Sequence, residues 1–168
     1  MTRVCLIVNP TYFIGPFAPA LIINPGDVNA MSTNLVLYNI LLPDSKIGTP
    51  SMGFVDVRDI ARGLVAGIKT PGRHRTLLSG EWFELKDAVD YISVVRPSIK
   101  SRLPKLTPSG QMQAIVDNTS TEEALKFKVR SWRDSVLETV DTVTRLEREW
   151  VVAGVDLDST MRKNDRRA

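Results

Sequence analysis

Cysteine and histidine are almost missing from this chain, with one of each, Cys5 and His74, in 168 residues. A lone cysteine closes no internal disulfide, and one Cys with one His is too few for a His/Cys metal cage. A Ser-His-acid or Cys-His hydrolase would have to use one of these two residues, and neither has a suitable neighbour in sequence. His74 stands in the basic turn Pro71-Gly72-Arg73-His74-Arg75 and Cys5 inside an apolar run. Excess charge is also small. The 22 Lys and Arg against 19 Asp and Glu leave a formal +3, too little to call for nucleic acid or anionic lipid. The basic residues are not interleaved with aromatics, as a single-strand binder requires. Long apolar runs are lacking as well. Asn9-Pro10, Gly15-Pro16 and Pro19 break up the apolar stretches of the first 25 residues. The pieces fall short of a signal core of about 7–15 residues or a membrane span of about 20. No lipidation signal is present. These absences read as a soluble, cytoplasmic protein with no membrane or nucleic-acid partner.

What is present is globular. Hydrophobic residues make up 43% and charged residues 24%, which excludes wholesale disorder and fibrous repeats. The length suits one domain and is too short for two full ones. Val4–Val8 is a short continuous apolar run that reads as a strand buried on both faces, as in a parallel sheet. Residues 9–29, with four prolines and two glycines, read as loop. Ala30–Leu42 has helical spacing, and 43–53 is rich in turn residues. Asp56 can cap a helix, with Asp59 adding negative charge to its first turn. The spacing of Val57, Ile60, Ala61, Leu64, Val65 and Ile68 predicts one apolar inward face, ended at Thr70-Pro71-Gly72. Arg75–Ser79 reads as a strand and Leu85–Val95 as an amphipathic helix ended by Pro97.

Lys100–Gly110 is a basic loop, Ala114–Val116 a short strand and Thr121–Lys126 a short helix. Ser131 with Asp134 resembles a capping box opening the longest helix. Val136, Val140, Val143, Leu146 and Trp150 then form one stripe, and Gly154 suits the C-cap. Residues 1–154 form the ordered unit in this reading, and the charged stretch 155–168 a disordered tail. The pattern is mixed α/β. A strand that needs neighbours on both sides opens the chain, which suggests the tail of something larger.

Four segments in order carry a resemblance. They are Val8-Asn9-Pro10-Thr11-Tyr12-Phe13-Ile14-Gly15-Pro16, Gly53-Phe54-Val55-Asp56-Val57-Arg58-Asp59-Ile60-Ala61, Asp117-Asn118-Thr119-Ser120 and Phe127-Lys128-Val129-Arg130-Ser131-Trp132. The series resembles the second half of the extended short-chain dehydrogenase/reductases of the epimerase/dehydratase superfamily. The nearest branch is the dihydroflavonol reductase group with its fungal NADPH-dependent methylglyoxal and ketone reductases. The resemblance runs from about Arg3 to Trp150. It implies an α/β fold: the C-terminal part of a Rossmann-type enzyme, with the substrate-binding subdomain and without the N-terminal nucleotide-binding half.

The resemblance further implies NADP as cofactor and a small ketone or aldehyde as substrate. Asn9, Pro10 and Tyr12 match the loop that borders the nicotinamide. Phe13, Gly15 and Pro16 match the substrate wall, and Arg58 lies where substrate loops approach. A stiff proline-containing loop suits such a wall, and equally suits a plain structural connection after a buried strand. Family members carry a Gly-x-x-Gly-x-x-Gly turn for the pyrophosphate and a Tyr-x-x-x-Lys whose Tyr protonates the carbonyl oxygen. Here Tyr12, Tyr38 and Tyr91 are followed four residues on by Pro16, Leu42 and Val95, and no such glycine turn exists. Gly63 and Gly67 fall inside a helix, where they suit close packing. The chain is therefore expected to begin just after the catalytic helix and to be inactive alone.

Asp56, Arg58 and Asp59 offer an acid–base constellation on paper. Helix capping and an Arg58 pairing with either acid account for them without chemistry. Arg96, Lys100, Arg102 and Lys105 read as a solvated surface, and Trp82 and Phe83 as packing against the helix from Leu85. Three readings follow. The chain is the substrate half of a reductase, or a non-catalytic fragment that self-associates or pairs with a complementing N-terminal half, or a truncated gene product. In each, Val4–Val8 and the faces at Ile60–Ile68 and Val136–Trp150 are expected to lack packing partners.

Overall fold

A computed structural model describes residues 5–42, 51–69, 73–110, 116–117 and 119–157. In chain order the elements are β1 (Cys5–Pro10), β2 (Tyr12–Ile14), a 3-10 helix (Val28–Asn34), α1 (Leu35–Asn39), β3 (Ser51–Asp56) and α2 (Val57–Ile68). They continue with β4 (Arg73–Leu78), β5 (Trp82–Glu84), α3 (Leu85–Val95), a second 3-10 helix (Pro97–Arg102), α4 (Thr119–Leu125) and α5 (Trp132–Val152). β1 pairs in parallel with β4, Cys5 opposite Arg73 and Pro10 opposite Leu78. β2 runs parallel to β3, and β3 pairs antiparallel with β5.

The expected loop 9–29 is too wide. β1 continues to Pro10, and the aromatic and β-branched run Tyr12-Phe13-Ile14 forms β2, as strand propensity favours once a partner strand is present. Ser51–Gly53, also read as loop, belong to β3; residues 43–50 and 111–115 lie outside the described residues, so most of the strand expected at 114–116 does too. The helix expected over 30–42 is broken. Ser32 adopts φ 53° inside the 3-10 segment Val28–Asn34, which kinks there ahead of the short α1. Ser131 caps α5 by accepting from the Arg133 N–H at 3.3 Å. The reciprocal capping box forms instead on α3, between Glu84 and Asp87.

α2 is turned the other way from its apolar spacing. Asp59, Gly63 and Gly67 are its buried positions, while Leu64, Val65 and Ile68 are 44, 55 and 68% exposed. The helix packs against β1, β3, β4 and α4, and two of its three buried positions carry no side chain. β1 is likewise not covered on both faces: Ile7 and, opposite Asn9 on β4, Leu77 are about half exposed. Among the described residues β1 has β4 as its only paired strand. The α5 stripe, by contrast, does not lack partners. Val136, Val140, Val143 and Trp150 are buried, and Leu146 packs against the same cluster. The core continues past Gly154, since Val155 and Leu157 pack on it.

An aromatic column ties the sheet of β2, β3 and β5 to α5. Phe54 stacks on Phe83 at 4.8 Å, Phe83 on Trp132 at 4.5 Å, and Tyr12 and Tyr91 meet the two ends edge-on. Two aromatic pairs at about 0.5–1.5 kcal/mol each predict that Phe83→Leu lowers stability by about 1–3 kcal/mol, read from urea unfolding. The basic loop is not simply solvated. Arg96 pairs with Asp141, and Arg102 forks onto Glu147 at 2.7 and 2.8 Å while donating to the Leu41 carbonyl. Tyr38 donates to the same carboxylate at 3.3 Å, and burial beside Glu147 pushes its hydroxyl well above its ordinary pKa.

Candidate functional site

The C-terminal ends of β1 and β4 lie side by side, the edge at which open α/β sheets take ligands. Thr11 hinges β1 to β2 there. Its N–H donates to the Leu78 carbonyl at 3.1 Å, and its hydroxyl to Ser79 Oγ at 3.4 Å. Ser79 in turn donates to the Gly80 carbonyl at 3.0 Å. Two glycines bring the sheets together at this point. A Cβ on Gly80 would lie 2.0 Å from the Phe54 carbonyl oxygen, and one on Gly53 2.8 Å from Ser79 Oγ.

Four of the expected site residues fall on this strand–hinge–strand, and two more, Gly15 and Pro16, follow it directly. Asn9 is half-buried and Pro10 exposed at the end of β1. Tyr12 and Phe13 on β2 are 45 and 37% exposed, although Ile14 beside them is buried. Gly15 is buried at φ 144°, a region L side chains avoid, with Val57 Cγ1 only 2.8 Å from where a Cβ would stand. Pro16 follows, half-buried.

Arg58 is engaged elsewhere. Its Nε and Nη2 bind Asp56 Oδ1 and Oδ2 at 2.8 and 2.7 Å, and its Nη1 meets Glu138 of α5. It reaches the loop only through Asp56, whose Oδ1 would be 3.5 Å from a Cβ at Gly15. Asp56 also caps α2 through the Arg58 N–H and accepts from Ser135 Oγ at 2.9 Å. Burial alone would raise its pKa. The hydrogen bonds from the Arg58 side chain and backbone and from Ser135 outweigh that and hold the carboxyl below the usual carboxylate value. Asp59, equally buried, takes the Arg130 N–H at 2.6 Å and Arg62 at 3.2 Å. The Asp56-Arg58-Asp59 cluster thus fastens α2 to α5 and to the segment before it, as the capping interpretation of these residues expects.

Sequence reasoning missed Thr33, Asn34, Ser79 and Gly80. Asn34 is 7% exposed, yet it stood in an expected helix, where nothing marks an asparagine as special. Gly80 follows a strand and looks like any turn glycine. The side chains of Cys5 and His74 lie outside the described residues.

The described residues do not fit the pyrophosphate of a dinucleotide. A phosphate is held by free N–H groups at a helix N-terminus. The two helices that directly follow strands, α2 and α3, are capped by the carboxylates of Asp56 and of Glu84 with Asp87. What the β1 and β4 ends do offer is a wall, apolar at Pro10, Tyr12 and Phe13. Among the described residues no group of three or more His, Cys, Asp or Glu could hold a metal, and no helix is long and apolar enough to cross a membrane.

No protein-family model matches the chain. A Candida albicans protein assigned as an NADPH-dependent methylglyoxal reductase is 30% identical over 144 residues, which is 80% of this chain and 41% of that protein. The chain is homologous to part of an extended short-chain dehydrogenase/reductase. The Saccharomyces cerevisiae NADPH-dependent methylglyoxal reductase is 28% identical over 151 residues, 83% of this chain and 43% of that one. The crystal structure of the Candida albicans reductase Gre2 in complex with NADPH superposes with a TM-score of 0.70 at 25% identity, over 83% of this chain and 43% of that one. The chain thus spans less than half the length of the short-chain reductases it matches. The family and the NADP dependence implied by the four segments are those of its homologues.

Proposed function

We propose that this chain supplies the substrate-side, C-terminal portion of an NADPH-dependent reductase of small ketones and aldehydes. The observation that carries the proposal is the placement of Asn9–Pro16 at the ends of two parallel strands, in a chain whose homologues reduce methylglyoxal. In this reading Asn9, Pro10 and Tyr12 border the nicotinamide, while Phe13, Gly15 and Pro16 wall the carbonyl compound and keep water away from it. Arg58 acts on the wall indirectly, by holding Asp56 beneath Gly15. NADPH supplies the hydride when bound.

No proton donor is assigned to this chain, since none of its tyrosines has a lysine four residues on. A nucleotide-binding half, on the same polypeptide or another, brings the donor and the phosphate cradle. The exposed Ile7, Leu64, Val65, Ile68 and Leu77 offer that half an apolar surface, and parallel strands are ordinarily covered on both faces.

The test is complementation. The chain is co-expressed with the N-terminal half of the Candida albicans reductase, and NADPH oxidation is followed with methylglyoxal. Turnover is expected from the pair and from neither part alone. No turnover from a pair that co-purifies, or turnover by the chain alone, contradicts the proposal.

A further inference from the structure

We infer that Asn34 is a positioning residue for the candidate site, acting as a two-point clamp on the backbone of Gly15. Its amide makes both hydrogen bonds that a neighbouring strand would make. Gly15 N–H donates to Asn34 Oδ1 at 3.1 Å, and Asn34 Nδ2 donates to the Gly15 carbonyl at 2.8 Å. β2 has ended one residue earlier, at Ile14, so the side chain replaces strand pairing where pairing stops. Thr33 adds a third contact, its hydroxyl donating to the Phe13 carbonyl. Both clamp residues follow Ser32, a non-glycine residue at φ 53° and ψ −131°. Such a backbone persists where the surroundings over-determine it, and here it turns two consecutive side chains onto one loop.

The other side of Gly15 is closed by Val57 and Asp56. Gly15 is therefore gripped between the Asn34 amide and the start of α2. That grip fixes the end of β2, the strand that carries Tyr12 and Phe13. Both residues stay partly exposed beside a buried Ile14, with the Tyr12 ring edge-on to Phe54. In functional terms the inference rests on the reductase proposal; as a statement about the loop it does not.

The test is hydrogen exchange on the full chain, comparing Asn34→Leu, which keeps the volume, with Asn34→Asp, which keeps the acceptor. Asn34→Leu is expected to speed exchange of the Gly15 amide at least about tenfold while α5 amides keep their protection, since local opening is read separately from global unfolding. Asn34→Asp is expected to retain slow exchange at Gly15, because the carboxylate still accepts its N–H. Unchanged Gly15 exchange in Asn34→Leu would overturn the clamp. Loss of protection in α5 in step with Gly15 would also overturn it, by making Asn34 an ordinary core residue. Neither outcome depends on whether complementation yields a reductase. Where it does, Asn34→Leu in the assembled enzyme is expected to raise KM for methylglyoxal more than it lowers kcat.

Discussion

Gly80→Ala is expected to abolish the native fold or to leave it destabilised by more than about 3 kcal/mol. The added Cβ would stand 2.0 Å from the Phe54 carbonyl oxygen and 3.1 Å from its carbonyl carbon. These are main-chain atoms, so no rotamer change relieves the contact. β3 cannot retreat either. Phe54 is paired with Tyr12 of β2, and its ring is stacked on Phe83. Moving it would unpair one strand and open the aromatic column. Gly110→Ala is the control. Nothing lies within 4 Å of its Cβ, and its φ of 64° leaves only left-handed strain of about 1–2 kcal/mol. Soluble yield, circular dichroism and the urea midpoint distinguish the two variants. A Gly80→Ala protein with a wild-type midpoint would show that β4 and β3 are not held this closely.

Asp56→Ala is expected to cost about 3–5 kcal/mol, the range for breaking a buried, hydrogen-bonded charge pair from one side. The carboxylate side chain is fully buried while Arg58 is 33% exposed, so solvent screening places the loss toward the lower end. Removing it strips the α2 cap, leaves the Arg58 guanidinium with Glu138 alone, and leaves the Ser135 hydroxyl only the Ser131 carbonyl at 3.3 Å. The pH dependence has a definite sign. The folded pKa of Asp56 is depressed, so the unfolded chain binds its proton first as pH falls. The stabilisation is complete above the unfolded value, about 4, and drains away as pH drops through the lower folded value. Wild-type stability should therefore fall below about pH 4, and Asp56→Ala should flatten that part of the curve. An unchanged acid limb would mean that Asp56 is not the group responsible.

Much of the fold is readable from local pattern. The cap at Asp56, the helix Leu85–Val95, the stripe from Val136 to Trp150 and the mixed α/β order all follow from periodicity and end signals that neighbouring structure does not override. The failures share one cause, tertiary context. Tyr12–Ile14 is too short and too close to prolines to announce a strand, and becomes one because β3 lies beside it. The apolar spacing of α2 predicts an inward face, yet Gly63 and Gly67 turn inward and Leu64, Val65 and Ile68 outward. Amphipathic spacing says that a helix has two faces, and only its neighbours say which is covered. Arg102 looks like one of four basic loop residues, and only the fold brings it to Glu147, 45 positions away.

At the candidate site, Asn9–Pro16 is legible because its residues are consecutive. The clamp from Asn34 and the close approach of Gly80 to Phe54 join distant segments and leave no mark in local sequence. Arg58 is the opposite case, a charged residue near a motif whose guanidinium binds Asp56 and Glu138.

The most direct measurement is a titration with NADPH, followed by tryptophan fluorescence, of the purified chain alone and then together with the nucleotide-binding half of the Candida albicans reductase. The account predicts no saturable binding by the chain alone up to millimolar cofactor, and saturable binding once the other half is present. Saturable binding tighter than millimolar by the chain alone would contradict it, because these residues would then build a complete cofactor site of their own.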